Sequence, residues 1–171
     1  ILGALSQTSN PDKAFRRFNE FIAGLPAGVQ LFSLFQANPS LLNLVAEIAG
    51  GAPRLAEWLG RNPLLLDGGL ATDFFESLPD ADAMAADFAE RMAQAQDMQD
   101  VLDIARRWVN DAKFQVGVQI LRNKIDIDRA DLAFSDIADT AIRGLLPPIV
   151  GEFEIQHGRC AGDGLAVLGL G

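Results

Sequence analysis

Three features of the 171-residue chain predict a mainly α-helical protein, a compact multi-helix bundle that leads into a β-strand only in its last residues. Asn-Pro pairs recur where helices should begin. Between the breaks, apolar residues fall at helical spacing. In the closing run Gly164-Leu165-Ala166-Val167-Leu168-Gly169-Leu170-Gly171, the helical period gives way to a short apolar stretch bounded by glycines.

The pairs Asn10-Pro11, Asn38-Pro39 and Asn62-Pro63 each read as a helix start. An Asn side-chain oxygen accepts an orphan amide of the first turn, and Pro is preset for the first helical position and has no amide to leave unpaired. After Pro11 the stripe is Phe15, Phe18, Ile22 and Leu25, broken by Pro26-Ala27-Gly28. Val29, Phe32, Leu34 and Phe35 suggest a short helix that Asn38 ends. Leu41, Leu42, Leu44, Val45 and Ile48 form the next, stopped by Gly50-Gly51. Pro53 opens a helix carrying Leu55, Trp58 and Leu59, and Pro63 one carrying Leu64, Leu65 and Leu66. Elements this short and apolar must pack on each other.

From about Asp80 the pattern lengthens into three amphipathic helices. The first carries Met84, Phe88 and Met92, with Asp80 and Asp82 favouring its positive end. The second is expected from about Asp97 to Lys124, with the stripe Met98, Val101, Leu102, Ala105, Trp108, Val109, Ala112, Val116 and Ile120. The third starts near Asp128 and presents Leu132, Ile137, Ala141, Ile142, Leu145, Ile149 and Phe153, with Pro147-Pro148 expected to kink or break it. The chain therefore divides into a short-helix bundle over 1–79, a long-helix bundle over 80–158 packed on it as one domain, and the strand with its glycine turn over 164–171.

Charge and composition narrow the function. With 23 acidic against 14 basic residues the net charge is −9, which disfavours nucleic-acid binding. Arg16-Arg17 and Arg106-Arg107 lie within amphipathic patterns and read as solvated helix faces. No apolar run approaches the roughly 20 residues needed to span a bilayer. Ile1-Leu2-Gly3-Ala4-Leu5 has neither the basic flank nor the cleavage site of a signal peptide, and it reads as the middle of a helix in a chain cut at both ends. The single cysteine, Cys160, fits a reducing cytoplasm, and in Gly158-Arg159-Cys160-Ala161-Gly162 it reads as a free thiol beside His157 rather than a nucleophile. His157 suits the C-terminal end of the third long helix. Trp58 and Trp108 lie on apolar stripes and read as core.

A buried strand needs a partner strand for its backbone groups, and no other segment offers one. A strand running into Gly-x-Gly brings backbone amides close to a phosphate. Spacing alone leaves open whether that turn belongs to a dinucleotide-binding fold or to a nucleotidyltransferase.

The segment from Asp163 to Gly171 resembles the opening of the nucleotidyltransferase core in bacterial glutamate–ammonia-ligase adenylyltransferases. Four upstream stretches resemble the same family: Arg17 to Pro26, Gln30 to Pro39, Ala52 to Ala56, and Arg61-Asn62-Pro63-Leu64-Leu65-Leu66-Asp67. The last points to the carboxy-terminal, adenylylating half. The resemblance implies a large bifunctional enzyme of nitrogen assimilation. One half transfers AMP from ATP to a tyrosine of glutamine synthetase, the other removes it by phosphorolysis, and glutamine and a PII signalling protein set the balance. It implies a magnesium-bound Asp-x-Asp pair and a glycine turn that positions the triphosphate. Gly169 and Gly171 match that turn as nucleotide-binding residues, whereas the metal pair and all catalytic residues are missing from this segment. The chain alone is thus expected to be inactive and to bind neither ATP nor magnesium. Asp126-Ile127-Asp128 is itself an Asp-x-Asp, but it precedes the turn between two helices and reads as a helix cap.

Two rivals remain open: a helical protein-interaction module and the start of a dinucleotide-binding oxidoreductase. The Asn-Pro spacings of 28 and 24 residues, with dissimilar intervening sequences, argue against true repeats. Sequencing past Gly171 separates the other two. Asp-x-Asp on the next strand is the expected result, and a Gly three positions on with an acidic residue ending that strand would mark the cofactor fold.

Overall fold

The computed structural model describes residues 2–8, 10–23, 33, 35–36, 39–62, 77–159 and 167. Among them the regular structure is helical: α1 (Leu2–Ser6), α2 (Pro11–Ala23), α3 (Pro39–Gly51), α4 (Pro53–Arg61), α5 (Ala81–Met92), α6 (Met98–Leu121) and α7 (Ile127–His157). The chain is mainly α, as the sequence predicts. The helix expected after Pro63, the Pro26-Ala27-Gly28 break, Cys160 and the strand over 164–171 lie outside the described residues, save the exposed Val167.

Local chemistry sets most helix starts. Asn10 accepts from the Lys13 amide at 3.3 Å as Pro11 opens α2. Asp80, Asp97 and Asp126 each stand in extended backbone and accept from the amide three residues on, at 2.8 Å in every case. Each removes one orphan donor and puts a negative charge at the positive helix end. Asn62 behaves differently. Its backbone and side-chain amides both donate to the Trp58 carbonyl, so it closes α4.

α3 ends at Gly51, within the Gly50-Gly51 pair where the sequence stops it, and Ala52 leaves the helix because Pro53 excludes helical backbone at the residue before it. Gly50 also has a packing role, since a Cβ there would stand 2.6 Å from Thr8 Cβ. Pro147-Pro148 does not break α7, which continues for 31 residues, about 46 Å at 1.5 Å rise. The prolines withdraw only two rungs of the ladder, those that would end on the Arg143 and Gly144 carbonyls. α6 closes on a Schellman turn. Asn123 takes φ 53°, its amide donates to Ile120, and Lys124 donates to Gln119 at 2.9 Å.

Two apolar clusters fill the interior. The first joins Phe18 and Phe21 of α2, Leu44, Val45 and Ile48 of α3 and Leu59 of α4, with Leu5 and Phe35, to Phe114 and Val118 of α6. Phe18 and Phe35 stack at 6.2 Å. The second joins Met84 and Phe88 of α5 and Ala130, Ala133 and Ile137 of α7 to Ala105, Trp108 and Val116 of α6. α6 thus belongs to both. This overturns its single-stripe reading: Leu102 and Ile120 are more than a third exposed, while Phe114 and Val118, off that stripe, are buried. Phe15 is likewise half exposed, because α2 turns Ala14, Phe18 and Phe21 inward. On α7 the buried face is small, Ala130, Ala133, Ile137, Thr140 and Ala141, and leaves Leu132, Ile142, Ile149 and Phe153 exposed.

Close approach explains that choice of small residues. At Gly144 a Cβ would overlap the ring of Phe88, which cannot yield because it is buried and packed edge-on against Trp108 at 4.8 Å. In an ordinary helix Gly→Ala gains up to about 1 kcal/mol. Gly151→Ala, in open space, should show that gain, whereas Gly144→Ala should lose about 1–3 kcal/mol to overpacking, both read from urea unfolding of the chain.

Candidate functional site

α6 also gathers the polar groups that meet between the clusters. Asp111 and Trp108 project from it, Trp58 comes from α4, and Asp87 and Arg91 come from α5. Trp108 Nε1 donates to Asp87 Oδ2 at 2.7 Å, and Arg91 Nε donates to Asp87 Oδ1 at 3.0 Å. Arg91 then reaches Asp111 only at 3.9 Å through Nη1. The Trp58 indole N–H is fully buried without a well-formed hydrogen bond; it lies near enough to Asp111 to favour the ionised carboxylate. Burial outweighs these attractions and raises the Asp111 pKa above the ordinary aspartate value. Arg91, Trp58 and Arg107 oppose that rise, and Asp87 adds to it.

Surface hollows open elsewhere among the described residues, none of them lined by this cluster. A groove of about 600 Å³ runs between α5 and α7, floored by Phe88 and Met92 and edged by Asp82, Asp136, Asp139 and Arg143. A second, of about 440 Å³, lies among Thr8, Asn43, Glu47, Gly50 and Leu121. Among the described residues no group of three or more His, Cys, Asp or Glu side chains is placed to hold a metal ion. No helix among them is long and apolar enough to cross a membrane.

The residues singled out from sequence separate clearly. Asp126 of the Asp-x-Asp caps α7 by accepting from the Arg129 amide, and Asp128 lies in the first turn. His157 is the last residue of α7, its ring 4.6 Å from that of Phe153. Trp108 is buried in the second cluster and Trp58 packs on the first. Arg106 is a solvated partner of Asp103, but Arg17 is half buried and donates to the Ala49 carbonyl at 3.1 Å, steadying the end of α3. The nucleotide-binding candidates Gly169 and Gly171 lie outside the described residues. Sequence reasoning missed Gln115, buried and donating to the Ser77 carbonyl at 3.2 Å, and the still more deeply buried Gln119. The available signal was their place in Phe114-Gln115-Val116-Gly117-Val118-Gln119, a segment too apolar for one face.

Comparison with known proteins supplies what this geometry does not. The sequence profile of the family described as "Glutamate-ammonia ligase adenylyltransferase" matches residues 42–171. The chain belongs to that family. It is 43% identical over all 171 residues to a protein of Mesorhizobium japonicum named "Bifunctional glutamine synthetase adenylyltransferase/adenylyl-removing enzyme". Proteins of the same name from Brucella suis and Agrobacterium fabrum are 37% and 36% identical over the same span. In each case this adenylyltransferase-family chain covers 17% of the relative's own length. No solved structure matches it.

The Asp126 geometry gives a direct check on its assignment as a cap. Asp126→Ala should cost about 1 kcal/mol in thermal or urea unfolding, and Asp126→Asn much less, because Asn caps equally well. Magnesium should shift neither midpoint differently from the parent chain.

Proposed function

We propose that this chain is the helical, non-catalytic segment that precedes the adenylylating nucleotidyltransferase core of a full-length glutamine synthetase adenylyltransferase. The observation that carries the reading is the match over all 171 residues to relatives about six times as long. The full enzyme would move AMP from ATP to a tyrosine of glutamine synthetase, with magnesium held by carboxylates of the core, and would also reverse the modification by phosphorolysis. Glutamine and a PII protein would regulate it in the cytoplasm. Gly169 and Gly171 would open the glycine turn over the triphosphate.

Within that enzyme the helices would buttress the catalytic sheet and relay a signal to it. A rigid rod anchored in two cores suits such a relay, because packed interiors shift between discrete arrangements rather than deform smoothly. The Asp-x-Asp of this segment is already engaged in capping α7, which supports placing the chemistry elsewhere.

The test is to incubate the purified chain with glutamine synthetase, ATP and magnesium and to measure AMP incorporation by intact mass. No transfer above the enzyme-free background is expected, while the full-length enzyme run alongside modifies its substrate. Transfer by the chain alone would show that the chemistry resides within it.

A further inference from the structure

The two tryptophans of the chain each meet an aspartate, and the two pairs are unequally served. Asp87 is about half exposed, receives the Trp108 indole at 2.7 Å and holds Arg91 at 3.0 Å, so each of its oxygens has a donor and its charge also meets water. Asp111 is only 19% exposed, and the same guanidinium, already engaged by Asp87, reaches it at 3.9 Å. Its neighbouring indole lacks good hydrogen-bond geometry. An ionised carboxylate in that position is short of partners. Loosening the packing around it would admit water.

The location gives this shortage a mechanical meaning. α4 packs with the first cluster and α5 with the second, and α6 makes close contact with both. Asp111 sits on α6 with Trp58 of α4 and Arg91 of α5 beside it. We propose that Asp111 makes the seam between α4, α5 and α6 a proton-sensitive hinge, closed when its carboxyl is protonated and loosened when it is ionised.

The groups facing Asp111 are Trp58 from α4, Arg91 and Asp87 from α5, and Arg107 from its own helix. Burial is the largest influence and favours the protonated form, so the closed seam holds the proton more tightly than the open one. Stability from this group is therefore full below the ordinary aspartate range and is lost as pH rises through the raised value. The hinge rests on side-chain geometry and stands independently of the enzymatic reading above.

Two measurements on the labelled, intact chain test it. In the first, the Asp111 carboxyl carbon is followed by NMR from about pH 8 to about pH 4, together with the Trp58 indole peak. Both should titrate together, with a midpoint above the ordinary value of about 3.9. In the second, amide exchange across Pro53–Arg61, corrected for the intrinsic effect of pH, should be slower on the acid side by about threefold or more. Asp111→Asn, an uncharged stand-in, should bring that slower exchange to neutral pH and abolish the Trp58 titration. A midpoint at or below the ordinary value overturns the proposal, as does α4 exchange that ignores the protonation of Asp111. If Asp111→Asn does not fold, the two measurements on the unaltered chain decide the matter alone.

Discussion

The burial of α6 on two sides governs how this molecule is assembled. Phe114 and Val118 complete the cluster built on α2, α3 and α4, while Ala105, Trp108 and Val116 complete the one built with α5 and α7. Neither cluster is complete without this helix. Gly117 belongs to the same arrangement, because Leu55 of α4 comes so close that a Cβ would stand 2.8 Å from its Cδ2. The buried glutamines follow as well. Gln115 and Gln119 lie on the enclosed arc of the helix rather than on its solvated face, so the Gln115 amide is satisfied by the Ser77 carbonyl.

How much of this could be read from sequence depends on the range of the forces involved. Helix starts were legible because a cap is settled within four residues: Asn10, Asp80, Asp97 and Asp126 act where the local pattern places them. Inward faces were less legible. Ranking by hydrophobicity selects Leu132, Ile142 and Ile149 for the core of α7, whereas close helix contact selects Ala130, Ala133 and Thr140, and the larger residues remain outside. A single stripe also misdescribes a helix that serves two cores. The cluster around Asp111 was illegible, since it joins side chains of three helices whose angular positions no local pattern fixes.

The family relation and the physical reading bear on different questions. Identity of 43% over the whole chain places it in the adenylyltransferase family, and the packing explains how the segment holds its shape. The two meet at Asp126. A motif that chemistry could take for a metal ligand pair proves to be an ordinary solution to an unpaired helix amide.

The prolines of α7 carry a mechanical consequence. Residues 147 and 148 have no amide hydrogen, so the carbonyls of Arg143 and Gly144 lose their partners along the ladder on the turn where Phe88 presses against the helix. Before that turn, Ala130, Ala133, Ile137, Thr140 and Ala141 clamp the helix in place. After it come the exposed Ile149, Phe153 and Ile155. The result is a cantilever with a compliant root: its outer arm can change direction at little elastic cost while the clamped part stays still.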